Sequence, residues 1–232
     1  MILSLAFGRT RTGVAVIRTE EALESVGKAC STVSEKLSSR AMLVYHSEIP
    51  RRNLCDYIFE RIGESLLDGG ALLPSQGVGI LIPDSRVSEN NVETIRLHAV
   101  IQHELHRRFG HWPVDVSIQQ IRRSLGISSS SSASNKRELI QTFKSSGCVF
   151  ENPQTNSGLQ LLSESWGVGR HLIRLHRLKE IRTSSPDVIE KFKNELLSNR
   201  KLFWPSIHSN TEVINDLLDQ EIDKLLVKRF NL

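Results

Sequence analysis

Cysteine is scarce. The 232 residues hold three, Cys30, Cys55 and Cys148, odd in number and far apart. That spacing supports neither a disulfide framework nor a CxxC metal site, and a reducing interior such as the cytoplasm is the expected setting. Long apolar runs are missing too: no stretch approaches the ~18 residues of a membrane span, so no membrane partner is expected. The opening run Met1 to Phe7 is short and is followed by arginines, unlike a secretory leader, so no targeting segment is read there and folding is expected to start with the first strand. Asp is absent before Asp56. No GxxxxGK[ST] loop and no GxSxG elbow occurs, which removes the usual phosphate-loop and serine-hydrolase readings. Gly77-Val78-Gly79 and Gly167-Val168-Gly169 lack the third glycine and the strand-then-helix setting of a dinucleotide site. In His103-Glu104-Leu105-His106 the histidines are three apart, one short of the helical HExxH zinc spacing, and solvated surface histidines are expected instead.

What is present is a chain with 39% apolar and 24% charged residues, enough for one large domain or a domain with an appendage. The formal charge is +4, and it is unevenly spread. Arg96 to Gly147 carries eight Lys/Arg against three acids, a net of +5, and Arg170 to Arg182 carries five against one, a net of +4. The remainder is therefore at −5. Concentrated positive charge of this kind suits an anionic surface partner such as nucleic acid. The serine run Ser128 to Ser132 lies between Arg122-Arg123 and Lys136-Arg137, and reads as a flexible loop that could also follow a phosphate backbone.

Periodicity predicts the elements. Ile2 to Phe7 and Thr12 to Ile17 are apolar strands split by Gly8-Arg9-Thr10-Arg11, a hairpin signal. Glu20 to Leu37 has helical spacing, although Glu24 to Cys30 could also be a strand. Strands are expected at Ala41 to Tyr45, Gly77 to Ile82 and Val114 to Ile118. Helices are expected at Asn53 to Leu67, Glu89 to Phe109, Asn135 to Ser145 (capped by Ser134), Leu159 to Ile181, Pro186 to Ser198 and Thr211 to Phe230, the last introduced by Ser209-Asn210-Thr211-Glu212. On a helical wheel, Arg170, Arg174 and Arg177 share one face with Trp166, opposite Leu161, Val168, Leu172 and Leu175. The arginines could contact phosphates with Trp166 available for stacking, or simply be a solvated face. Glu164 falls nearer the apolar side, unusual for a free carboxylate.

The opening Ile2-Leu3-Ser4-Leu5-Ala6-Phe7-Gly8-Arg9-Thr10-Arg11-Thr12-Gly13-Val14-Ala15-Val16-Ile17 resembles the first hairpin of the RuvC-like Holliday-junction resolvases, in the ribonuclease H-like superfamily. Ile80 to Pro83 stands where that family's fourth strand delivers a glutamate, and Thr94 to Phe109 resembles its following long helix. Val114 to Leu125 resembles the fifth strand and its basic turn, Gly126 to Phe143 with Ala133 and Lys136 the next helix entry, and Ser163-Glu164-Ser165-Trp166 the start of the last catalytic helix. The resemblance spans about residues 1 to 178. It implies an α/β fold, a ribonuclease H-like mixed sheet flanked by helices, over residues 1–182, with a C-terminal helical extension over 183–232.

The family's chemistry uses two divalent cations held by about four clustered carboxylates. Carried onto this chain, the first-strand aspartate corresponds to Ala6, the fourth-strand glutamate to Pro83, with Asp84 one residue off register, and the last-helix acids to Leu161 and Glu164. The resemblance therefore implies lost nuclease activity and no metal cofactor, with Glu164, a former inward-facing ligand, buried beside an arginine or protonated. The expected function is a catalytically inactive resolvase-like protein that binds branched DNA or folded RNA, or is a structural subunit of a nucleoprotein complex, through Arg9, Arg11, Arg122, Arg123, Lys136, Arg137, Trp166, Arg170, Arg174 and Arg177. The alternative is a divergent Mg²⁺-dependent endonuclease using Asp84, Glu164 and perhaps Glu89. A third reading gives the apolar stripe Ile214, Leu217 or Leu218, Glu221 or Ile222, and Leu225 of the last helix to a second copy or to its own domain.

Overall fold

The computed structural model describes residues 1–17, 39–49, 51–66, 77–83, 89–127, 131–151, 153, 155–198 and 211–230. The expected helix at Glu20 to Leu37, Asp84, the first three residues of the serine run (128–130) and the Ser209-Asn210 cap lie outside the described residues. Two compact units are present, Met1–Ile173 and Arg174–Leu232.

The first unit is built on a sheet. Strands β1 (Ile2–Phe7) and β2 (Arg11–Ile17) form the expected hairpin, β3 (Ser39–Tyr45) continues it antiparallel, and β4 (Val78–Leu81) and β5 (Val114–Val116) add in parallel on the other side of β1. A two-residue strand, β6 (Val149–Phe150), pairs in parallel with β3 and was not expected. The order is β5-β4-β1-β2-β3-β6. β1 and β2 are buried along nearly their whole length because both sheet faces are covered, which is why their sequences run apolar without alternation.

One face carries Leu3, Leu5, Phe7, Val14, Val16, Val78 and Ile80 against helices α1 (Arg51–Leu66) and α2 (Glu89–Phe109). The other carries Ile2, Ala15 and Ile17 against a group of three helices. These are α3 (Ile118–Ser124), α4 (Ser132–Ser145) and the first part of α5 (Asn156–Ser184). α3 was missed because it is short. Its start is set by Ser117, whose hydroxyl accepts from the Gln120 amide while the Gln120 side chain accepts from the Ser117 amide, a reciprocal cap. α4 begins earlier than expected: Ser131, not Ser134, caps it, so the end of the serine run is helical.

Residues 162–169 of α5 are all buried, since the helix lies between the sheet and α3 and α4. Its glycines permit this. A β carbon at Gly169 would meet Ile17 Cδ1 at 2.7 Å and Ser4 Oγ at 2.9 Å, and one at Gly167 would meet Ile121 Cγ2 at 2.5 Å. Gly167-Val168-Gly169 is thus a packing motif, with one glycine facing the sheet and one facing α3.

The second unit holds the end of α5, then α6 (Pro186–Ser198) and α7 (Thr211–Phe230). Leu178 and Ile181 of α5 cluster with Phe192 and Leu196 of α6 and with Leu218, Ile222 and Leu226 of α7. The buried stripe of α7 therefore packs within its own unit, and Leu226 replaces Leu225 as its innermost member at that end. Among the described residues, no helix is long and apolar enough to cross a membrane.

Candidate nucleic-acid interface

Strand alternation places Ala6 on the same sheet face as Ile2 and Ser4, the face that α5 covers. Ala6 is fully buried and pairs across the hairpin with Gly13. A β carbon on Gly13 would run into the Leu161 carbonyl, so α5 rests with its backbone directly on β2 at this point. Leu161 itself packs its side chain against Gly8, where an added β carbon would meet Leu161 Cδ1 at 3.0 Å. The hairpin and the start of α5 thus meet around Ala6 and Leu161, two side chains with no polar atom. Pro83, just beyond β4, is half-buried.

One helical turn after Leu161 stands Glu164, 8% exposed. Its carboxylate accepts a hydrogen bond from the Gln160 amide nitrogen at 2.7 Å. Burial raises its pKa above the ordinary carboxylate value, opposed in decreasing order by the Gln160 hydrogen bond and the charges of Lys136 and Arg122. The expected burial of Glu164 is met; of the two alternatives, an arginine beside it or a protonated carboxyl, the raised pKa accords with the second, and Lys136 and Arg122 act on it only through their charge. Arg122 arrives through packing: Ile121, one residue earlier, fits over Gly167 of α5.

Outward from Glu164 the surface opens into a cleft of about 470 Å³ between α4 and the start of α5. Lys136, Arg137 and Lys144 supply three cations along it, Gln141, Asn156, Ser157 and Gln160 supply polar groups, and Ile140 and Leu159 an apolar floor. Just before α5, the Thr155 hydroxyl accepts from the Gly158 amide at 3.2 Å and from an Arg11 guanidinium nitrogen at 2.9 Å. Arg11 also lies over the ring of Tyr45, 5.8 Å from its centre, and Arg9 is exposed at the turn of the hairpin. A continuous path of contacts therefore joins hairpin, start of α5 and cleft.

Several expected site residues lie elsewhere. Trp166 is 4% exposed and packs on Phe143 in the core, so no base can stack on it. The wheel misplaces it because α5 is covered on both sides at this level. Arg170 sits over the same ring, 5.9 Å from its centre. Arg174 and Arg177 belong to the second unit, and Leu175, expected on the core side, is 40% exposed. Part of the positive charge of Arg170 to Arg182 is matched internally: Arg182 bonds Asp219 at 3.0 Å and Asp223 at 2.9 Å, and Arg174 is within electrostatic reach of Asp223. Arg123 is exposed at the end of α3. His106 stacks flat on Trp112 at 4.2 Å.

Sequence reasoning missed Tyr45, Thr155 and Gln160 as members of this surface. Tyr45 shares a sheet face with Ala41 and Leu43, which are covered; a β carbon at Gly158 would meet Leu43 Cδ1 at 2.8 Å. Tyr45 lies two residues past that cover and is 57% exposed. The only signal in sequence is its place at the strand end.

Ala6 and Leu161 offer no ligand atom, Glu164 is buried and engaged by Gln160, and among the described residues no cluster of three or more His, Cys, Asp or Glu is placed to hold a metal ion.

The mixed five strands β5-β4-β1-β2-β3, with β2 antiparallel to its neighbours and helices on both faces, form a ribonuclease H-like α/β fold, extended by β6 and the C-terminal helices. No family model and no curated protein matches the chain. Among solved structures it is similar to Thermus thermophilus RuvC in complex with a Holliday-junction substrate, at 14% identity over 73% of this chain and 90% of that one, with a TM-score of 0.47. A further structure of T. thermophilus RuvC gives 13% identity, 73% and 91% coverage and a TM-score of 0.46. The yeast mitochondrial Holliday-junction resolvase Ydc2 gives 12%, 78% and 83%, with a TM-score of 0.40.

Proposed function

We propose that this protein binds structured nucleic acid, branched DNA or folded RNA, without cleaving it, either alone or as a subunit of a nucleoprotein assembly. The observation that carries the reading is the cleft lined by Lys136, Arg137 and Lys144, set beside a resolvase-type site whose Ala6 and Leu161 supply no metal ligand. Exposed cations on one helix suit a phosphate backbone, and such contacts give affinity with little sequence preference. Gln160 is shared between cleft and site: it lines the one and holds the Glu164 carboxylate of the other. That bond keeps the remaining acid of the site turned inward and away from a ligand in the cleft.

The test uses labelled four-way junctions, duplexes and folded RNA. Affinity should fall steeply with salt, and Lys136→Ala and Lys144→Ala should each reduce the slope of log affinity against log salt by about 1 without changing the ranking of sequences. Binding that ignores salt, or no binding to any of the three, would refute the reading. Incubation with Mg²⁺ or Mn²⁺ should leave the junctions intact; cleavage that disappears in Glu164→Gln would establish the divergent nuclease instead.

A further inference from the structure

Tyr45 is the residue of this surface that phosphate binding leaves unexplained. Most of the chain's large aromatic side chains among the described residues are buried or half-buried; Tyr45 and Trp112 stand out at 57% and 56% exposed. Trp112 already has a partner, the His106 imidazole lying parallel to it at 4.2 Å. Tyr45 has no ring neighbour among the described residues, only the Arg11 guanidinium 5.8 Å from its centre. Arg11 is itself held by its 2.9 Å bond to Thr155, and it pairs with Tyr45 in the β2–β3 register, so ring and cation are presented together by the sheet. An exposed ring costs free energy in water, and a guanidinium fixed beside it adds positive charge where a strand carrying a phosphate would pass. From this ring the contacts continue through Arg11 and Thr155 to Asn156 and Ser157, at the edge of the basic cleft.

We infer that Tyr45 is a stacking platform for one unpaired nucleobase, positioned so that the neighbouring phosphates enter the Lys136–Arg137–Lys144 cleft. The inference rests on the nucleic-acid reading above and narrows it: the preferred ligand has a bulge, a single-stranded end or an opened branch point. Aromatic stacking requires an exposed base face, which a continuous duplex withholds, whereas phosphate contacts are available on both. Tyr45 then supplies the discrimination between structured and plain nucleic acid, and the lysines supply the affinity common to both.

The experiment compares a blunt duplex with the same duplex carrying a single-nucleotide bulge, in DNA and in RNA, with 2-aminopurine as the bulged base. Full-length wild type, Tyr45→Ala, Tyr45→Phe and Lys144→Ala are measured by anisotropy and by 2-aminopurine fluorescence, with circular dichroism to confirm folding. Tyr45→Ala should weaken binding to the bulged ligand by roughly 5- to 150-fold, the worth of one stacked base, and leave duplex binding within about twofold. Quenching of 2-aminopurine should occur with wild type and Tyr45→Phe and vanish with Tyr45→Ala. Lys144→Ala should weaken both ligands alike. Equal losses on duplex and bulge in Tyr45→Ala, or quenching that survives it, would overturn the stacking role while leaving the phosphate surface standing. No binding of either ligand by wild type would overturn both.

Discussion

Gly13→Ala tests the contact that brings α5 onto the hairpin. The added β carbon would lie 2.6 Å from the Leu161 carbonyl carbon and 3.2 Å from Leu161 Cβ, where ordinary contact begins at about 3.4 Å. The obstacle is backbone, with the Leu161 carbonyl oxygen nearest of all, so no rotamer change relieves it, and α5 must withdraw by roughly 1 Å. A gap of that size removes about a quarter to a half of the dispersion energy of each contact it opens. Leu162, Val168 and Leu172 are all at most 2% exposed on this helix, so the loss is spread over a close-packed layer. Overpacking against backbone is expected at the upper end of the usual range, about 3 kcal/mol. For a chain of this size that lowers Tm by about 6–12 °C. Gly63→Ala is the control: Gly63 lies inside α1 with nothing within 4 Å of an added β carbon. There the greater helix propensity of alanine should raise Tm by about 1–4 °C. Both values come from thermal melts followed by circular dichroism. A Gly13→Ala variant melting within about 2 °C of wild type would show that α5 does not rest on β2, and the placement of Leu161 against the hairpin would fall with it.

Other consequences follow from the ionisable groups. Glu164 has a raised pKa in the folded state, so the stability linked to it is fully present below the ordinary carboxylate value of 4.5 and is lost as pH rises through the raised value. Glu164→Gln keeps an acceptor for Gln160 and removes that loss; its Tm advantage over wild type should grow between pH 5 and pH 8, and a constant difference would show that the carboxyl is not buried. In the second unit, Arg182→Ala removes bonds to both Asp219 and Asp223, partly exposed groups, and should cost about 1 kcal/mol, less in high salt, read from urea melts in low and high NaCl. Burial pushes the Cys55 thiol up to about 11, so at pH 8 it should react with a disulfide reagent far more slowly in the native protein than after denaturation; equal rates would refute its burial.

Much of this architecture was readable from residue patterns. β1 and β2 are dense in Val, Ile, Leu and Ala, and most helices have a stripe at three and four, so burial of one face dictated their type and nearly their limits. α3 and β6 escaped because seven and two residues are too few for any period to emerge. The start of α4 escaped because each serine in a run is an equal candidate cap, and only the chain path chose Ser131. Trp166 is buried and Tyr45 exposed, the reverse of what local pattern suggests for each. A helical wheel records one face against another, but α5 is covered from two sides, which buries Trp166. A strand's alternation assigns Tyr45 to the covered face, but the cover ends before it.

The amino-acid sequence by itself determined that Ala6 and Leu161 offer no ligand atom, because a side chain without oxygen, nitrogen or sulfur cannot hold a cation in any conformation. It also determined the excess of positive charge between Arg96 and Gly147. Only the tertiary structure decided which charges face outward together, since Lys136, Arg137 and Lys144 meet Asn156 and Gln160 across a gap in sequence that packing alone closes. The same packing placed Glu164 under Gln160 and matched Arg182 to Asp219 and Asp223, because electrostatic neutralisation depends on distance through space, which composition does not contain.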